Sequence, residues 1–269
     1  MAHNSPELVS SLIDKIDSEK FNKDVFDQSG LFIIRNAIPK SLMKEWQEEW
    51  NTFYASNLSE GRNVNMNNPV DLKESLPEKL ALIYRNDILL DFAEQVFGKH
   101  VGLYNHRFVI KDKFSLGDIF LHQDFCYHLG MPGKASFFVP LSYAGKKNGG
   151  LTFYLGTHKY GYLGDAGEID PDAFPEKWPQ VTPELQPGDF AIMNSLLWHR
   201  SGTNEAGIDR IVADIILQPA NDPSSKELLR GEWQTDFFIN RETNPKLFFK
   251  NSRVLKIIGL NDKIKALTP

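Results

Sequence analysis

His122 and Asp124 are separated by one residue in the segment Phe-Leu-His-Gln-Asp-Phe, residues 120–125. Side chains two residues apart leave the same face of an extended chain, so an imidazole and a carboxylate would stand side by side there. Such a pair supplies two of the three protein ligands of the 2-His-1-carboxylate site that binds Fe(II) in non-heme oxygenases. A His-x-Asp pair is weak evidence by itself, and the sequence must also offer a third ligand.

The third ligand that the sequence offers is His199, in the segment Trp-His-Arg-Ser-Gly at 198–202. It follows an apolar segment, 190–197, that we expect to be a buried strand and a rigid support for a metal ligand. Arg210 begins the next apolar segment, and antiparallel pairing of these two strands would return it towards His199. A guanidinium there could fork onto one carboxylate of a dicarboxylate whose other end chelates the metal. These residues predict a ferrous site with positions left open for a cosubstrate and O2.

The chain that must position these residues changes character at Gly98. Before it, helical spacing predicts one helical region within 6–28, a second helix with Ser41 as its N-cap, and a third over 77–97. A short buried strand is predicted at 31–34. After Gly98, segments rich in β-branched and aromatic residues predict strands at 101–110, 134–141, 151–155, 190–197 and 211–217.

Many short strands with no helix between most of them predict a mainly β fold, a sandwich or jelly roll, packed against an N-terminal helical layer. We expect a single domain over 1–269. It would comprise a helical flank (1–98), a jelly-roll catalytic core (99–220) and a C-terminal extension (221–269). Three predicted loops, at 61–77, 126–133 and 157–184, would supply the lining of a substrate pocket.

Composition narrows the choice of partners. The formal net charge is -5 and no long basic run is present, so we do not expect a nucleic-acid partner. The single cysteine, Cys126, allows no intrachain disulfide. The N-terminus does not resemble a secretory signal and no apolar run is long enough to cross a bilayer, so we expect a cytoplasmic protein without a membrane partner. The oligomeric state is left open.

Several short motifs occur in a fixed order. They are His122-Gln123-Asp124, Asn148-Gly149-Gly150-Leu151, Leu155-Gly156-Thr157-His158-Lys159, Pro187-Gly188-Asp189, His199-Arg200-Ser201-Gly202 and Arg210. Over roughly 101–220 this order resembles the phytanoyl-CoA dioxygenase family of Fe(II)/2-oxoglutarate oxygenases. The resemblance implies a double-stranded β-helix (jelly roll, cupin-like) in which His122, Asp124 and His199 bind iron. Arg210 would bind the far carboxylate of 2-oxoglutarate, with Ser201 as its hydroxyl partner.

The sequence departs from the family pattern at two of these places. Phe138 occupies a position that is often Trp in similar sequences, and we expect it to border the cosubstrate or to pack in the core. Leu155 precedes Gly156 where similar sequences commonly have Pro, which should alter only a turn. Halogenating relatives replace the carboxylate ligand with Gly or Ala, whereas Asp124 is intact. The resemblance therefore implies a hydroxylase that converts 2-oxoglutarate to succinate and CO2 while it oxidises a C–H bond of a small organic substrate.

Other interpretations stay open at this stage. The chain could be a non-catalytic jelly-roll module that binds metal as a sensor, or a cupin-like Mn or Zn enzyme without a cosubstrate. Candidate substrate contacts are Tyr127, His128 and Arg200, each of which could instead be an ordinary loop or surface residue. His158 is expected to stabilise a turn and Trp198 to pack in the core.

Overall fold

The computed structural model of the chain describes residues 6–59, 76–111, 118–164, 174 and 177–239. The chain divides into two compact units, Met1–Phe238 and Ile239–Pro269. The fold described below belongs to the first unit. Most of the predicted loop 61–77, part of 157–184 and the chain beyond 239 lie outside the described residues. The single domain expected over 1–269 stays a prediction.

Short strands make up most of the described chain after residue 100. In chain order the strands are β1 (Asp17–Ser18), β2 (Leu31–Ile34), β3 (Val101–Lys111), β4 (Ile119–His122), β5 (Ala135–Pro140), β6 (Leu151–Tyr154), β7 (Gln180–Val181), β8 (Phe190–Asn194), β9 (His199–Ser201), β10 (Arg210–Pro219) and β11 (Glu227–Arg230). The larger sheet has the order β1-β2-β8-β5-β10-β3-β11, and the smaller has the order β4-β9-β6-β7. All pairs are antiparallel except β1 with β2.

These two sheets form a jelly roll with helices on one side, which confirms the predicted fold class. One detail of the strand prediction is wrong. The predicted strand 190–197 ends at Asn194, and His199 begins a separate strand in the other sheet. β8 and β10 therefore do not pair with each other, because β5 lies between them.

The helices are α1 (Pro6–Ser10), α2 (Lys23–Ser29), α3 (Lys40–Ser59), α4 (Glu78–Ala81) and α5 (Asp87–Phe97). Ser41 is the second residue of α3, so the prediction that it is the N-cap is wrong. The single helix predicted over 77–97 is wrong: a 3-10 turn at Ile83–Arg85 divides it into α4 and α5. Asn86 restarts the helix, since its side chain accepts a hydrogen bond from the Ile88 amide at 3.1 Å. Apolar residues keep their helical spacing across this break, so the sequence pattern gave no sign of it.

Aromatic residues bind the helical layer to the outer face of the larger sheet. Trp50 of α3 packs against Phe108 of β3, with ring centroids 4.8 Å apart. Phe92 of α5 meets Phe190 of β8 edge to face at 5.2 Å. Because successive strand residues point to opposite faces, the neighbours of these aromatics point inward between the two sheets. The candidate site lies on that inner face.

Candidate metal centre

The two candidate histidines meet across neighbouring strands of the smaller sheet. His122 ends β4 and His199 begins β9, and the two are directly opposite each other in the antiparallel register. Their ring centroids are 4.3 Å apart. Asp124 follows at the start of a 3-10 turn, and its Oδ1 lies 3.6 Å from Nε2 of His122 and 3.7 Å from Nε2 of His199. One potential ligand atom from each residue lies within 4.8 Å of the others, so the structure brings the three together.

The backbone fixes which nitrogen of each imidazole is available to a metal. Nδ1 of His122 bonds to the carbonyl oxygen of Phe120 at 2.8 Å, and Nδ1 of His199 bonds to that of Leu197 at 2.9 Å. A carbonyl only accepts, so each Nδ1 carries the hydrogen and donates it. The lone pair of each neutral ring is then on Nε2, which faces Asp124. Metal-binding histidines are characteristically oriented in this way.

The pKa values of the three groups favour the binding of a cation. Burial alone would raise the pKa of Asp124, but His199, His122 and the nearby Arg107 outweigh it and hold that pKa well below its usual range. Burial, reinforced by His122, lowers the pKa of His199 to about 4. The pKa of His122 is raised, because the hydrogen bond and charge of Asp124 outweigh burial. At neutral pH Asp124 is therefore an anion and His199 is neutral. The same carboxylate forms an electrostatic contact with His122.

Gln123 anchors the segment between the two ligands. Its side chain is fully buried and points away from the metal face, as alternation requires. Its Nε2 donates to the carbonyls of Gly161 at 2.8 Å and Leu196 at 2.6 Å, and its Oε1 accepts from the Leu163 amide at 3.0 Å. This amide ties the His122–Asp124 segment to the turn that leads into His199. Gln123 belongs to a motif identified in the sequence, but no role was predicted for it.

Arg210 lies fully buried at the start of β10, next to a narrow cavity. Its Nη1 donates to the carbonyl of Gly149, while its Nε has no hydrogen-bond partner among the described residues. Burial lowers the pKa of this guanidinium to about 10. Phe138, Leu151 and Phe153 line the same cavity. An apolar cavity with a buried, partly unpaired guanidinium is suited to a carboxylate.

Lys111 is a second buried cation beside Arg210, and sequence reasoning missed it. Its Nζ donates to Ser201 Oγ at 2.9 Å and to the carbonyl of Gly202. Burial, with the charge of Arg210, lowers its pKa to about 8, against a weak opposing effect of Asp118. In the described residues neither Lys111 nor Arg210 forms an ion pair within 4.0 Å. Two buried cations without acidic partners form an anion pocket, which we define as Lys111, Arg210 and Ser201.

The route by which Arg210 reaches this region differs from the predicted one. We expected β8 and β10 to pair and so to bring Arg210 back to His199. Instead, Arg210 pairs with Lys111 at the end of β3, and Lys111 reaches across to Ser201, two residues after His199. The predicted strand 101–110 stopped one residue short of Lys111. The missed signal was a lysine directly after the apolar segment Phe108–Ile110, at the end of the strand.

The three candidate substrate contacts lie in different places. Tyr127 is half exposed, and its ring meets that of His122 edge to face at 6.1 Å. The ring of His128 packs at a tilt against that of Tyr104, with centroids 4.8 Å apart. Arg200 points to the opposite face of β9 from His199, with its guanidinium 5.9 Å from the ring of Tyr154. The structure thus brings Tyr127 against the triad.

Two other residues have the structural roles expected from the sequence. His158 lies in a 3-10 turn and its Nε2 bonds to the carbonyl oxygen of Asp27 at 3.1 Å; burial lowers its pKa to about 4. Trp198 is fully buried and packs with Leu121 and Tyr154. Among the described residues, no helix is long and apolar enough to span a membrane.

The fold and the donor set define a class of protein. A jelly roll that presents two imidazole nitrogens and one carboxylate on its inner face has the ligand types and number of the mononuclear non-heme Fe(II) site. The family model described as phytanoyl-CoA dioxygenase matches residues 26–212, which is well over half of the chain. The chain belongs to the phytanoyl-CoA dioxygenase family, as the order of its motifs predicted.

Solved structures with the same fold include enzymes of several kinds. The non-heme monooxygenase ThoJ is 21% identical with a TM-score of 0.63, over 82% of this chain and 87% of that one. The epimerase SnoN, solved with Fe3+, alpha ketoglutarate and nogalamycin RO, is 16% identical with a TM-score of 0.62, over 81% and 86%. EctD from S. alaskensis, solved with 2-oxoglutarate and 5-hydroxyectoine, is 19% identical with a TM-score of 0.60, over 80% and 83%. At these identities the likeness concerns the fold. No curated protein matches the sequence.

Proposed function

We propose that the chain is an Fe(II)/2-oxoglutarate-dependent dioxygenase that hydroxylates a C–H bond of a small organic substrate. The reaction would consume O2 and release succinate and CO2. His122, Asp124 and His199 would hold the iron, and Lys111, Arg210 and Ser201 would hold the far carboxylate of 2-oxoglutarate. The observation that carries the proposal is the pairing of a preorganised His-Asp-His site with a buried anion pocket that forms no ion pair within 4.0 Å among the described residues.

The residues around the proposed iron each have a task in this reaction. The two Nε2 lone pairs and the Asp124 carboxylate would hold the ion, and a set of three protein ligands would leave it able to bind the cosubstrate and O2. Lys111 and Arg210 neutralise a carboxylate that is buried away from water, and Phe138 and Leu151 exclude water from that end. When bound, iron supplies the activation of O2, which no side chain of the chain can supply.

The anion pocket separates this proposal from a non-catalytic metal-binding module. Such a module needs the triad, but it has no use for two buried cations beside it, and burying them unpaired is costly. Solved relatives of this fold include an epimerase as well as a monooxygenase. Hydroxylation is therefore the part of the proposal that product analysis must decide.

The test measures binding and turnover separately. Under nitrogen, protein loaded with Fe(II) should develop a visible charge-transfer band on addition of 2-oxoglutarate, and chelation of the metal should abolish it. In air, succinate should form, and mass spectrometry with ¹⁸O2 should find one labelled oxygen in the oxidised substrate. Asp124→Ala should lose the band and succinate formation. Asp14→Ala, which removes a carboxylate in an exposed turn, is the matched control. Full succinate formation by Asp124→Ala would refute the proposal, and metal binding without affinity for 2-oxoglutarate would favour the binding module.

A further inference from the structure

Arg107 is a third cation on the inner face of the larger sheet, outside the anion pocket. It lies four residues before Lys111 on β3, so both side chains leave the same face of the strand. The opposite face is covered by α3, where Phe108 meets Trp50. Arg107 is directly opposite Asp214 of β10 in the antiparallel register, and its Nε donates to Asp214 Oδ2 at 2.6 Å.

The ion pair with Asp214 uses only the Nε edge of the Arg107 guanidinium. The Asp214 side chain is fully buried, while 23% of the Arg107 side chain remains exposed. Within the described ranges, the two terminal amino groups of Arg107 make no hydrogen bond. Nε is therefore anchored in the wall of the jelly roll, and the free edge of the guanidinium can bind a ligand. Such an edge can donate two parallel hydrogen bonds to a carboxylate.

Arg107 is close enough to the triad to act electrostatically on all three members. Its charge helps to lower the pKa of Asp124, and it opposes protonation of both His122 and His199. A cation beside a divalent metal is unfavourable unless further negative charge is present. Asp214 supplies part of that charge in the free protein.

The buried charges do not balance once the proposed cofactors are counted. In the described part of the inner face, the cations are Arg107, Lys111 and Arg210 and the acids are Asp124 and Asp214. Fe(II) adds two positive charges and 2-oxoglutarate two negative ones, so one positive charge remains uncompensated. A substrate with a single negative group would neutralise it. Asp118, which also acts on Lys111, is exposed and therefore screened by solvent.

The surroundings of the metal face indicate the rest of that substrate. The rings of Phe120 and Tyr127 both meet that of His122 edge to face, with centroids 5.8 Å and 6.1 Å from it. Both rings are about half exposed, at 49% and 48%. Exposed aromatic rings beside a polar site suit the apolar part of a ligand.

We propose that Arg107, braced by Asp214, binds a carboxylate of the substrate beside the metal, and that the substrate is an organic monoacid with an apolar body. This inference rests on the function proposed above. It makes Arg107 a specificity-determining residue. A carboxylate could also come from the metal-chelating end of 2-oxoglutarate itself, so the test must separate the two sources.

The experiment uses the full chain loaded with Mn(II) and 2-oxoglutarate under nitrogen, with a Zn(II)-loaded sample as the diamagnetic reference. Ligand-observed NMR measures binding of matched carboxylic acids and primary amides, among them octanoate with octanamide and 4-phenylbutyrate with 4-phenylbutyramide. Relaxation by Mn(II) identifies ligands bound near the metal. The dissociation constant of 2-oxoglutarate is measured for each variant by calorimetry.

The main variant is Arg107→Gln/Asp214→Asn, which replaces the ion pair by two amides and leaves no unpaired buried charge. Arg107→Lys keeps the charge but loses the fork. Lys23→Gln/Asp27→Asn is the matched control, because it neutralises an exposed ion pair of 2.7 Å on α2. The wild type and this control should bind acids near the metal about tenfold more tightly than amides, as expected for a charge-assisted hydrogen bond. In Arg107→Gln/Asp214→Asn the preference should fall to about one, with the affinity for 2-oxoglutarate within about twofold of the wild type.

The inference would be overturned if the wild type bound acids and amides equally, or if it bound no acid near the metal. Both outcomes are measured on the wild type alone. Retention of the acid preference in Arg107→Gln/Asp214→Asn would overturn it too. If that variant instead binds 2-oxoglutarate about tenfold more weakly, Arg107 holds the cosubstrate and the inference is wrong. A wild type that binds 2-oxoglutarate but shows no acid preference leaves the proposed function standing. A wild type that binds neither Mn(II) nor 2-oxoglutarate refutes both.

Discussion

Lys111 of the larger sheet donates a hydrogen bond to Ser201 of the smaller sheet, with Nζ and Oγ 2.9 Å apart. Ser201 is two residues from His199 on the same face of β9. A cosubstrate bound by Lys111 would therefore be positioned relative to β9, the strand that carries His199. The contact couples the two parts of the proposed site, the triad and the anion pocket, through one side-chain pair.

Replacing Lys111 should weaken 2-oxoglutarate binding while metal binding persists. Lys111→Met removes the charge but keeps an apolar chain of similar length in a fully buried position. A hydrogen bond to a charged group contributes about 1.5–3 kcal/mol, so the dissociation constant should rise by about 10- to 150-fold. Calorimetry with Mn(II)-loaded protein measures it, and Lys147→Met, at an exposed lysine, is the control. Unchanged affinity in Lys111→Met would exclude Lys111 from the pocket.

The affinity for 2-oxoglutarate should also depend on pH through the same residue. Burial lowers the pKa of Lys111 to about 8, so the free protein loses this charge as the pH rises past that value. A bound carboxylate favours the charged form and raises the pKa, so affinity should fall by up to about tenfold per pH unit above about 8. Arg210, with its pKa of about 10, stays charged over most of this range. Titrations between about pH 7 and 9 should show the fall in the wild type and a flat profile in Lys111→Met. A flat wild-type profile would contradict the assignment.

The residues of the proposed site were easier to predict than the strand pairings that bring them together. His122 and Asp124 are neighbours in sequence, so alternation along an extended chain sufficed to place them on one face. Arg210 was assigned to the site through a strand pairing that does not exist, because sequence patterns identify strands but not their order in a sheet. Lys111 was missed since its role depends on contact with Ser201, 90 residues away. Arg107 was missed for the same reason, because its partner Asp214 lies on another strand.

Gly149 should be needed for the shape of the anion pocket. A Cβ there would lie 2.6 Å from Lys111 Cδ and 2.8 Å from the carbonyl oxygen of Gly202, and the backbone φ is +77°. Gly149→Ala should displace Lys111 and raise the KM for 2-oxoglutarate by about tenfold or more, with a smaller change in metal affinity. Gly207→Ala is the control, because φ there is +64° but no atom lies within 4 Å of the added Cβ. Both variants should lose about 1 kcal/mol of stability from backbone strain. An equal KM in the two variants would show that the close approach to Lys111 has no part in binding.

Gln123 should determine metal affinity although it does not touch the metal. Its buried amide fixes the His122–Asp124 segment through the carbonyls of Gly161 and Leu196. Gln123→Leu keeps the volume but removes the donors, which leaves those part-buried carbonyls without this partner and should cost about 1–3 kcal/mol of stability. With Asp124 less firmly held, metal affinity should fall by about 10- to 100-fold, as for other groups that orient metal ligands. Competition with a chromogenic chelator measures the affinity, and urea unfolding of the metal-free protein measures the stability. Gln95→Leu, on the exposed face of α5, is the control. If Gln123→Leu lost stability but bound metal as tightly as the wild type, the amide would support the fold without orienting the ligands.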